Sequence, residues 1–166
     1  MSMEIVIFLA VCLGVGSIGG MWTAKSVKTW YPTLKKPSWN PPAFVFAPVW
    51  TILYAMMAVA AWLVYRRGYF FDLAGGLFVV QLLLNLAWSY IFFVLKKLQV
   101  ALIELVVLWL FIAVTTIVFF GIDPLAGWLM VPYLAWVSYA STLNAAVWYL
   151  NPPEQKKRGG ANPSHG

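Results

Sequence analysis

The stretch that decides the fold covers residues 30–54 and is WYPTLKKPSWNPPAFVFAPVWTILY. Its first half holds four prolines within eleven residues. Because proline fixes its own φ and drives the preceding residue out of the helical region, this half is predicted to be a stiff, non-helical loop. Pro41 and Pro42 suit the first turn of a helix, and the apolar second half predicts that helix. The aromatic loop therefore lies across a helix mouth, and residues 25–42 are called the lid loop.

Composition places the chain in the membrane. Its 166 residues are 63% hydrophobic and only 10% charged, whereas about a quarter of the residues of a soluble domain are charged. Cys12 is the single cysteine, which excludes a disulfide framework or a zinc pattern. The single histidine is His165 near the C-terminus, so a buried imidazole is not available to ligate haem iron.

Five apolar stretches are each long enough to cross a bilayer, which takes about 20 residues. They cover residues 5–24, 42–65, 73–95, 98–120 and 125–150. The sequence therefore predicts an all-α integral membrane protein, a bundle of five transmembrane helices in one domain over residues 1–153. Residues 154–166 are polar and predicted to be disordered. The first stretch lacks a basic n-region and a small-residue cleavage site, so we expect an uncleaved helix rather than a signal peptide.

Basic residues predict the orientation. The net charge of +6 would suit nucleic acid, but the cations stand in small clusters at the ends of apolar stretches, so no nucleic-acid partner is expected. Nine of the eleven lie in the lid loop, the Lys96-Lys97 turn and the C-terminal tail, and the other two are Arg66 and Arg67. The lid loop and the C-terminus are therefore predicted to be cytoplasmic, with the N-terminus outside.

Polar residues within the spans leave alternatives open. Gln81, Asn85 and Ser89 recur every four residues and share one helix face. They either bond neighbouring helices or orient a polar group of a ligand. Glu104 lies close to the basic end of its span, so reaching the interface is favoured over facing the bundle interior. At the helix ends, Pro48 predicts a kink about two turns into the second span and Asp123 a cap for the fifth.

Tryptophans mark a candidate pocket. Of the ten in the chain, several lie near span ends, where interfacial belts are expected. Four lie deep in four different spans: Trp50, Trp88, Trp109 and Trp136. Core packing accounts for any one of them, but small or aliphatic residues one turn from the rings leave a slot. Together they predict an apolar pocket under the lid for a large, flat ligand such as a porphyrin, a sterol or a planar drug. Lys35 and Lys36 would meet an anionic rim.

Long motifs in a fixed order resemble one family. They are W-Y-x-x-L-x-K-P-x-W-x-P-P from Trp30, V-F-x-x-V-W-T-x-L-Y from Val45, N-L-A-W at 85–88 with I-F-F at 91–93, and P-Y-L-A-W at 132–136 with L-N at 143–144. Over roughly residues 16–148 the chain resembles the TspO/MBR family of tryptophan-rich sensory and translocator proteins. The resemblance implies a five-helix membrane protein, often dimeric. It also implies binding of porphyrins, haem-related tetrapyrroles, cholesterol, and isoquinoline or benzodiazepine drugs.

The resemblance also implies the residues of the site. Carried over by motif, the ligand-binding residues are Tyr31, Trp39, Pro41, Trp50, Tyr54, Asn85, Trp88, Trp109, Trp136, Ala140 and Leu143. Trp50 and Trp136 would be catalytic only if the protein photo-oxidises porphyrin. No metal site and no required cofactor are expected, with protoporphyrin IX or haem bound as a ligand. The sterol motif of animal members is absent, since Ala145 and Tyr149 hold its places.

Three functions remain in order of preference. The first is a tetrapyrrole-binding sensory or regulatory membrane protein. The second is a light-dependent porphyrin-degrading enzyme, for which aromatic redox chemistry is the available route because the spans contain no hydrolytic or metal constellation. The third is a transporter of porphyrins, sterols or other lipophilic molecules, which the scarcity of intramembrane charge disfavours.

Two kinds of partner are expected besides the flat lipophilic ligand. The first is membrane lipid. The second is another copy of the chain, because the resemblance implies a homodimer. Gly16 and Gly20 form a GxxxG pair, for which packing within the chain is favoured over a dimer face or a thin wall beside a ligand. Small residues at 74–76 are another candidate contact.

Overall fold

A computed structural model describes residues 3–152 and shows five long helices. They are α1 (Met3–Thr29), α2 (Phe46–Arg66), α3 (Leu73–Ser89), α4 (Leu98–Ile122) and α5 (Pro124–Leu150). Four helical stretches are long and apolar enough to cross a membrane by length and composition alone, and the 27-residue α5 completes the bundle. The predicted all-α, five-helix membrane fold is confirmed. The predicted disordered tail, residues 154–166, lies outside the described residues.

The helices form a closed ring in the order α1, α2, α5, α4, α3, with α3 packed back against α1. The last helix of the chain is therefore inserted between α2 and α4. This arrangement brings the middle of α5 against the start of α2, although more than eighty residues separate Trp50 from Trp136 along the chain. The ring order determines which of the deep aromatic side chains can meet.

The lid loop is shorter than the sequence predicted. No proline interrupts residues 25–29, and α1 continues to Thr29, so the loop covers residues 30–42. The helical stretch begins at Ala43, directly after the two prolines. Pro42 precedes a 3-10 turn over Ala43–Val45, and α2 begins at Phe46. Pro48 consequently lies in the first turn of α2, where N–H groups have no intrahelical acceptor, rather than two turns into a span where it would cause a kink.

The third span changes its winding before it ends. Its α-helix stops at Ser89, and Tyr90–Val94 form a π-helix. The turn that follows contains Lys96 with a φ of +58°, a left-handed conformation that is uncommon for a residue other than glycine. A π segment adds an extra residue to the turn and so shifts the faces on which the following side chains lie.

A buried polar link joins three helices at the centre of the bundle. The hydroxyl of Tyr54 on α2 donates to Asn85 Oδ1 on α3 at 2.7 Å, and Asn85 Nδ2 donates to the Tyr133 hydroxyl on α5 at 2.7 Å. Gln81 and Ser89 are also buried on this face of α3, as the shared-face prediction required. For Asn85, the structure favours bonding to neighbouring helices over bonding to a ligand.

Glu104 faces the bundle interior, so the favoured interpretation that it reaches the interface is wrong. It lies on the α4 stripe that also carries the buried Ala101, Leu105 and Leu108. Both carboxyl oxygens are enclosed and have no hydrogen-bond partner within residues 3–152. Glu104 shares a helix face with the buried Ala101 and Leu108, three and four positions away, and this face points into the bundle.

The two glycines of the GxxxG pair have different surroundings. A Cβ on Gly16 would overlap the Tyr54 ring, so Gly16 serves the close approach of α1 to α2 within one chain, as the favoured interpretation held. A Cβ on Gly20 or Gly76 would meet no atom within 4 Å, whereas one on Gly75 would collide with the Phe70 carbonyl. The homodimer stays a prediction, and Gly20 and Gly76 are the glycines of the two predicted contacts at which a Cβ meets no atom.

Asp123 caps α5, as predicted. Its Oδ1 accepts from the backbone N–H groups of Leu125 and Ala126, at 2.9 and 3.3 Å. Its Oδ2 accepts from Arg67 Nε and Nη2 at 3.0 and 2.9 Å, which ties the α2–α3 turn to the α4–α5 turn. The Arg67 hydrogen bond, with the two backbone donors, holds the pKa of Asp123 below its usual range against the opposing effect of desolvation.

Replacing Asp123 by alanine is expected to destabilise the protein by about 1–2 kcal/mol, because the cap and the ion pair are both lost. Asp123→Asn keeps a good capping group and loses only a pair with an exposed arginine, so about 0.5 kcal/mol is expected. Because the folded pKa is depressed, the advantage of aspartate over asparagine at this position is present above about pH 4 and is lost as pH falls through the folded pKa. Thermal unfolding in detergent from neutral pH to below the folded pKa of Asp123 measures these differences in stability. Equal stability of the wild type and both variants at neutral pH would contradict the prediction.

Candidate functional site

A cavity lies between the lid loop and the adjoining ends of α2, α3 and α5, and is called the aromatic cavity. It is lined by Val27, Tyr31, Phe46, Trp50, Trp88, Phe92, Phe93, Trp136, Ala140, Leu143, Asn144 and Val147. Its volume is about 40 Å³, enough for one or two water molecules in the closed arrangement. The lining is almost wholly apolar and more than half of it is aromatic, which is the usual construction of a small-molecule site.

Helical spacing brings these side chains together. Phe46 and Trp50 lie one turn apart on α2, and Phe92 of the π-helix follows Trp88 of α3 by four residues. The π-helix lets Phe93 line the same cavity as Phe92. On α5 the lining residues follow a single stripe at positions 136, 140, 143, 144 and 147. Alanine at 140 leaves the space beside the Trp136 ring, and this space is the slot that the sequence predicted.

The rings around the cavity contact one another, edge to face around Trp50 and at a tilt between Trp88 and Phe92. The Trp50 and Trp136 centroids are 6.5 Å apart with the planes at 90°, and Trp50 meets Tyr133 at 6.2 Å and 68°. Across the cavity the Trp88 and Phe92 centroids are 5.4 Å apart. Such contacts each add about 0.5–1.5 kcal/mol beyond the burial of area. An apolar cavity walled by aromatic rings suits a flat aromatic guest.

One polar group in the cavity has no partner. The Trp88 indole N–H donates to Asn144 Oδ1 at 3.3 Å, and Asn144 Nδ2 donates to the Leu98 carbonyl at 3.0 Å. The Trp136 indole N–H is enclosed and has no acceptor among the described residues. A buried donor without a partner is destabilising, and a ligand with an acceptor at this position would relieve it.

The lid loop is held by its own hydrogen bonds and by α5. The Tyr31 hydroxyl donates to Asn40 Oδ1 at 2.8 Å, and burial raises the pKa of Tyr31 so that it stays a neutral donor. Lys36 Nζ donates to the Tyr31 and Leu34 carbonyls at 2.9 Å each. Without a ligand the Lys36 ammonium group therefore holds the loop backbone, and its contact with a ligand carboxylate stays a prediction. The Tyr139 hydroxyl donates to the Trp39 carbonyl at 3.0 Å.

The structure brings together six of the eleven side chains that the sequence assigned to the site. They are Tyr31, Trp50, Trp88, Trp136, Ala140 and Leu143. Tyr54 and Asn85 lie behind Trp50 in the buried polar link rather than in the cavity wall. Trp39 packs on Tyr139 with its ring half exposed, and Pro41 is not in the lining. Trp109 is also outside the cavity, since its N–H donates to Ser138 Oγ at 2.7 Å.

Six lining residues were missed. They are Val27, Phe46, Phe92, Phe93, Asn144 and Val147. For most of them the sequence carries a signal, because Phe46 and Phe92 lie one turn from a predicted tryptophan and Val147 extends the α5 stripe by one turn. Val27 and Phe93 have no comparable signal. The first depends on α1 continuing past residue 24, and the second on the π-helix.

These observations define the class as a polytopic helical membrane protein with an aromatic cavity under a proline-rich loop. The sequence profile of the TspO/MBR family matches residues 8–150, and the chain belongs to that family. It is 44% identical over 147 residues to the tryptophan-rich protein TspO of Chlorobaculum tepidum, covering 87% of this chain and 93% of that one. It is 39% identical to the translocator protein of Sus scrofa, covering 90% and 92% of the two chains. It is 38% identical to the tryptophan-rich sensory protein of Cereibacter sphaeroides, covering 91% of this chain and 95% of that one.

Proposed function

We propose that this protein binds a tetrapyrrole such as protoporphyrin IX or haem in the aromatic cavity and acts as a sensory or regulatory membrane protein. The observation that carries the proposal is the meeting of Trp50, Trp88 and Trp136 from three helices around one slot. The N–H of Trp136 has no acceptor among the described residues, so a ligand nitrogen or oxygen that reached it would gain a hydrogen bond. A sterol offers no ring face for stacking, so the cavity favours a flat aromatic ligand.

Binding requires the lid loop to move. A cavity of about 40 Å³ is too small for a tetrapyrrole, whose site falls in the range of about 300–1,000 Å³ for small-molecule pockets. The contact that would have to part is the hydrogen bond from the Tyr139 hydroxyl to the Trp39 carbonyl. The Asn151 side chain bonds the backbone N–H and the carbonyl of Lys35, and these two bonds can stay in place. Opening at the Tyr139 contact would widen the slot between Tyr31 and Trp136 while the loop stays fixed at Lys35.

The test is a titration of the purified protein in the dark with protoporphyrin IX, haem, a sterol and a planar isoquinoline compound. Saturable quenching of tryptophan emission is expected for the tetrapyrroles, with the sterol binding weakest. Because the described residues contain no histidine, haem and iron-free protoporphyrin are expected to bind within a few-fold of each other. Absence of saturable quenching, or tighter binding of the sterol, would refute the proposal.

A second candidate function is light-dependent oxidation of bound porphyrin by dissolved dioxygen, which is the electron acceptor. It is favoured by the contact between Trp50 and Trp136, whose ring centroids are 6.5 Å apart in the cavity wall. Trp136 continues to Tyr139 at 5.7 Å, which provides further oxidisable rings towards the lid loop. Light should then consume bound porphyrin in the wild type, and Trp50→Phe with Trp136→Phe should stop the loss while binding persists. Trp109→Phe, outside the cavity, is the matched control. Equal loss in all three proteins and in empty detergent would leave only the binding role.

The orientation is also a proposal. The structure gathers the lid loop, the Lys96-Lys97 turn and the end of α5 at one end of the bundle, since Lys96 lies over Trp30 and Asn151 bonds Lys35. Arg67 lies at the opposite end with Asp123. The basic excess at the lid end predicts that this end is cytoplasmic. A cysteine at Ser38 in a Cys12→Ser background should be protected from an impermeant thiol reagent in intact cells, and labelling from outside would reverse the orientation.

A further inference from the structure

We propose that the protein holds the headgroup of an anionic phospholipid in a second site at the lid end, called the lysine groove. Its volume is about 700 Å³, and its walls come from the lid loop, the turn before α4 and the end of α5. None of its lining residues lines the aromatic cavity. The proposal therefore does not depend on tetrapyrrole binding.

The positive charge of the lysine groove favours an anionic ligand. Lys35 from the lid loop and Lys96 and Lys97 from the turn all line the groove and are exposed. No acidic side chain lines it within residues 3–152. Lys97 directly precedes the apolar span that begins at Leu98, which puts the lysines at the level of lipid headgroups. Basic pockets between transmembrane helices at this depth bind anionic headgroups.

The apolar part of the groove favours a lipid over a free anion. Trp30 and Trp148 line it, and tryptophan is the residue most typical of the membrane interface. The lining continues along α4 to Val100, whose side chain is 47% exposed on the face of a transmembrane span. A headgroup bound between the lysines would therefore have its acyl chains directed along the outer face of α4. Inorganic phosphate would contact the lysines only and would leave this apolar surface uncovered.

The groove is built before any ligand arrives. The Asn151 side chain accepts from the Lys35 backbone N–H at 3.0 Å and donates to the Lys35 carbonyl at 2.9 Å. Asn144 donates to the Leu98 carbonyl, which fixes the start of α4 against α5. Lys96 adopts a φ of +58° and places its ammonium 5.8 Å from the Trp30 ring centroid. Glycine would adopt this backbone at lower cost, but only a side chain can present a cation here.

The test uses the delipidated full chain in neutral detergent and native mass spectrometry with phosphatidylglycerol and phosphatidylcholine of identical acyl chains. The wild type should bind phosphatidylglycerol more tightly, by about fivefold for each lysine engaged. Lys96→Gln with Lys97→Gln should lower that affinity by about 25-fold and leave at most about a fivefold preference, from Lys35. Lys25→Gln with Lys28→Gln is the matched control, because it removes the same charge from the same end without touching the groove.

Several results would overturn the proposal. They are the absence of a headgroup preference in the wild type, an equal loss in the Lys25/Lys28 control, and displacement of the lipid by millimolar inorganic phosphate. The last would identify a site for free anions. Trp148→Leu keeps the charge and should still weaken binding, so it tests the apolar wall if the double variant folds poorly. Unchanged affinity in Trp148→Leu would count against a lipid. Protoporphyrin titration of the same proteins keeps the two sites distinguishable.

Discussion

Asn85→Leu should lower the stability of the protein by about 1–4 kcal/mol. The amide joins Tyr54 and Tyr133, and both hydrogen bonds are 2.7 Å long. Leucine has a similar volume but leaves two buried hydroxyl groups without a partner. The lower bound reflects the modest net value of interhelical hydrogen bonds in membranes, and the upper bound reflects the desolvation of two enclosed hydroxyls.

A matched set of variants separates this effect from packing. Ser89→Ala, one turn further along the same face, loses a hydrogen bond of 3.4 Å to the Asn85 carbonyl and should cost less than about 0.5 kcal/mol. In a Tyr54→Phe/Tyr133→Phe background, Asn85→Leu should cost much less, because no hydroxyl remains to be left unpaired. Thermal unfolding in detergent measures each difference. An undiminished loss in that background would assign the effect to shape rather than to hydrogen bonding.

The fold was predictable because a bilayer permits few alternatives. Every backbone polar group must be satisfied inside the apolar layer, so apolar stretches of this length become helices. Helix ends were less predictable. Residues 25–29 are polar but contain nothing that stops a helix, and α1 continues through them. The ring order of the helices was not predictable, because hydropathy does not specify which neighbour a face meets.

The sequence likewise specifies some of the site residues and not others. The α5 stripe was visible from spacing, so Trp136, Ala140 and Leu143 were placed together correctly. The depth of a residue in a span does not specify the direction of its side chain. Trp109 lies deep in α4, yet its indole N–H points to Ser138 rather than to the cavity. Phe93 lines the cavity beside Phe92 because the two lie in a π-helix, and nothing in the local sequence predicts that helix. Glu104 was predicted to reach the interface because it is close to Lys96 and Lys97. Its position on the buried stripe of α4 instead places it in the bundle interior.

The second large effect concerns Ala140. This side chain lines the aromatic cavity one turn after Trp136, and leucine would occupy the slot beside that ring. We expect Ala140→Leu to weaken protoporphyrin binding by about tenfold or more, which corresponds to losing one or two ring contacts of about 0.5–1.5 kcal/mol each. Trp50→Phe should have a smaller effect, because a ring remains at that position. Dissociation constants from tryptophan quenching in the dark measure both changes.

Ala135→Leu is the control for Ala140→Leu, since Ala135 is on the same helix with its side chain exposed on the outer face. It should leave affinity unchanged. Stability distinguishes a filled slot from a damaged fold. Occupying a cavity of about 40 Å³ is worth up to about 1 kcal/mol, so the unliganded Ala140→Leu protein should unfold at no lower temperature than the wild type. Weaker binding with intact stability would locate the ligand beside Trp136. Unchanged affinity in Ala140→Leu would show that the tetrapyrrole binds elsewhere, because no ring of that size can share the slot with a leucine side chain.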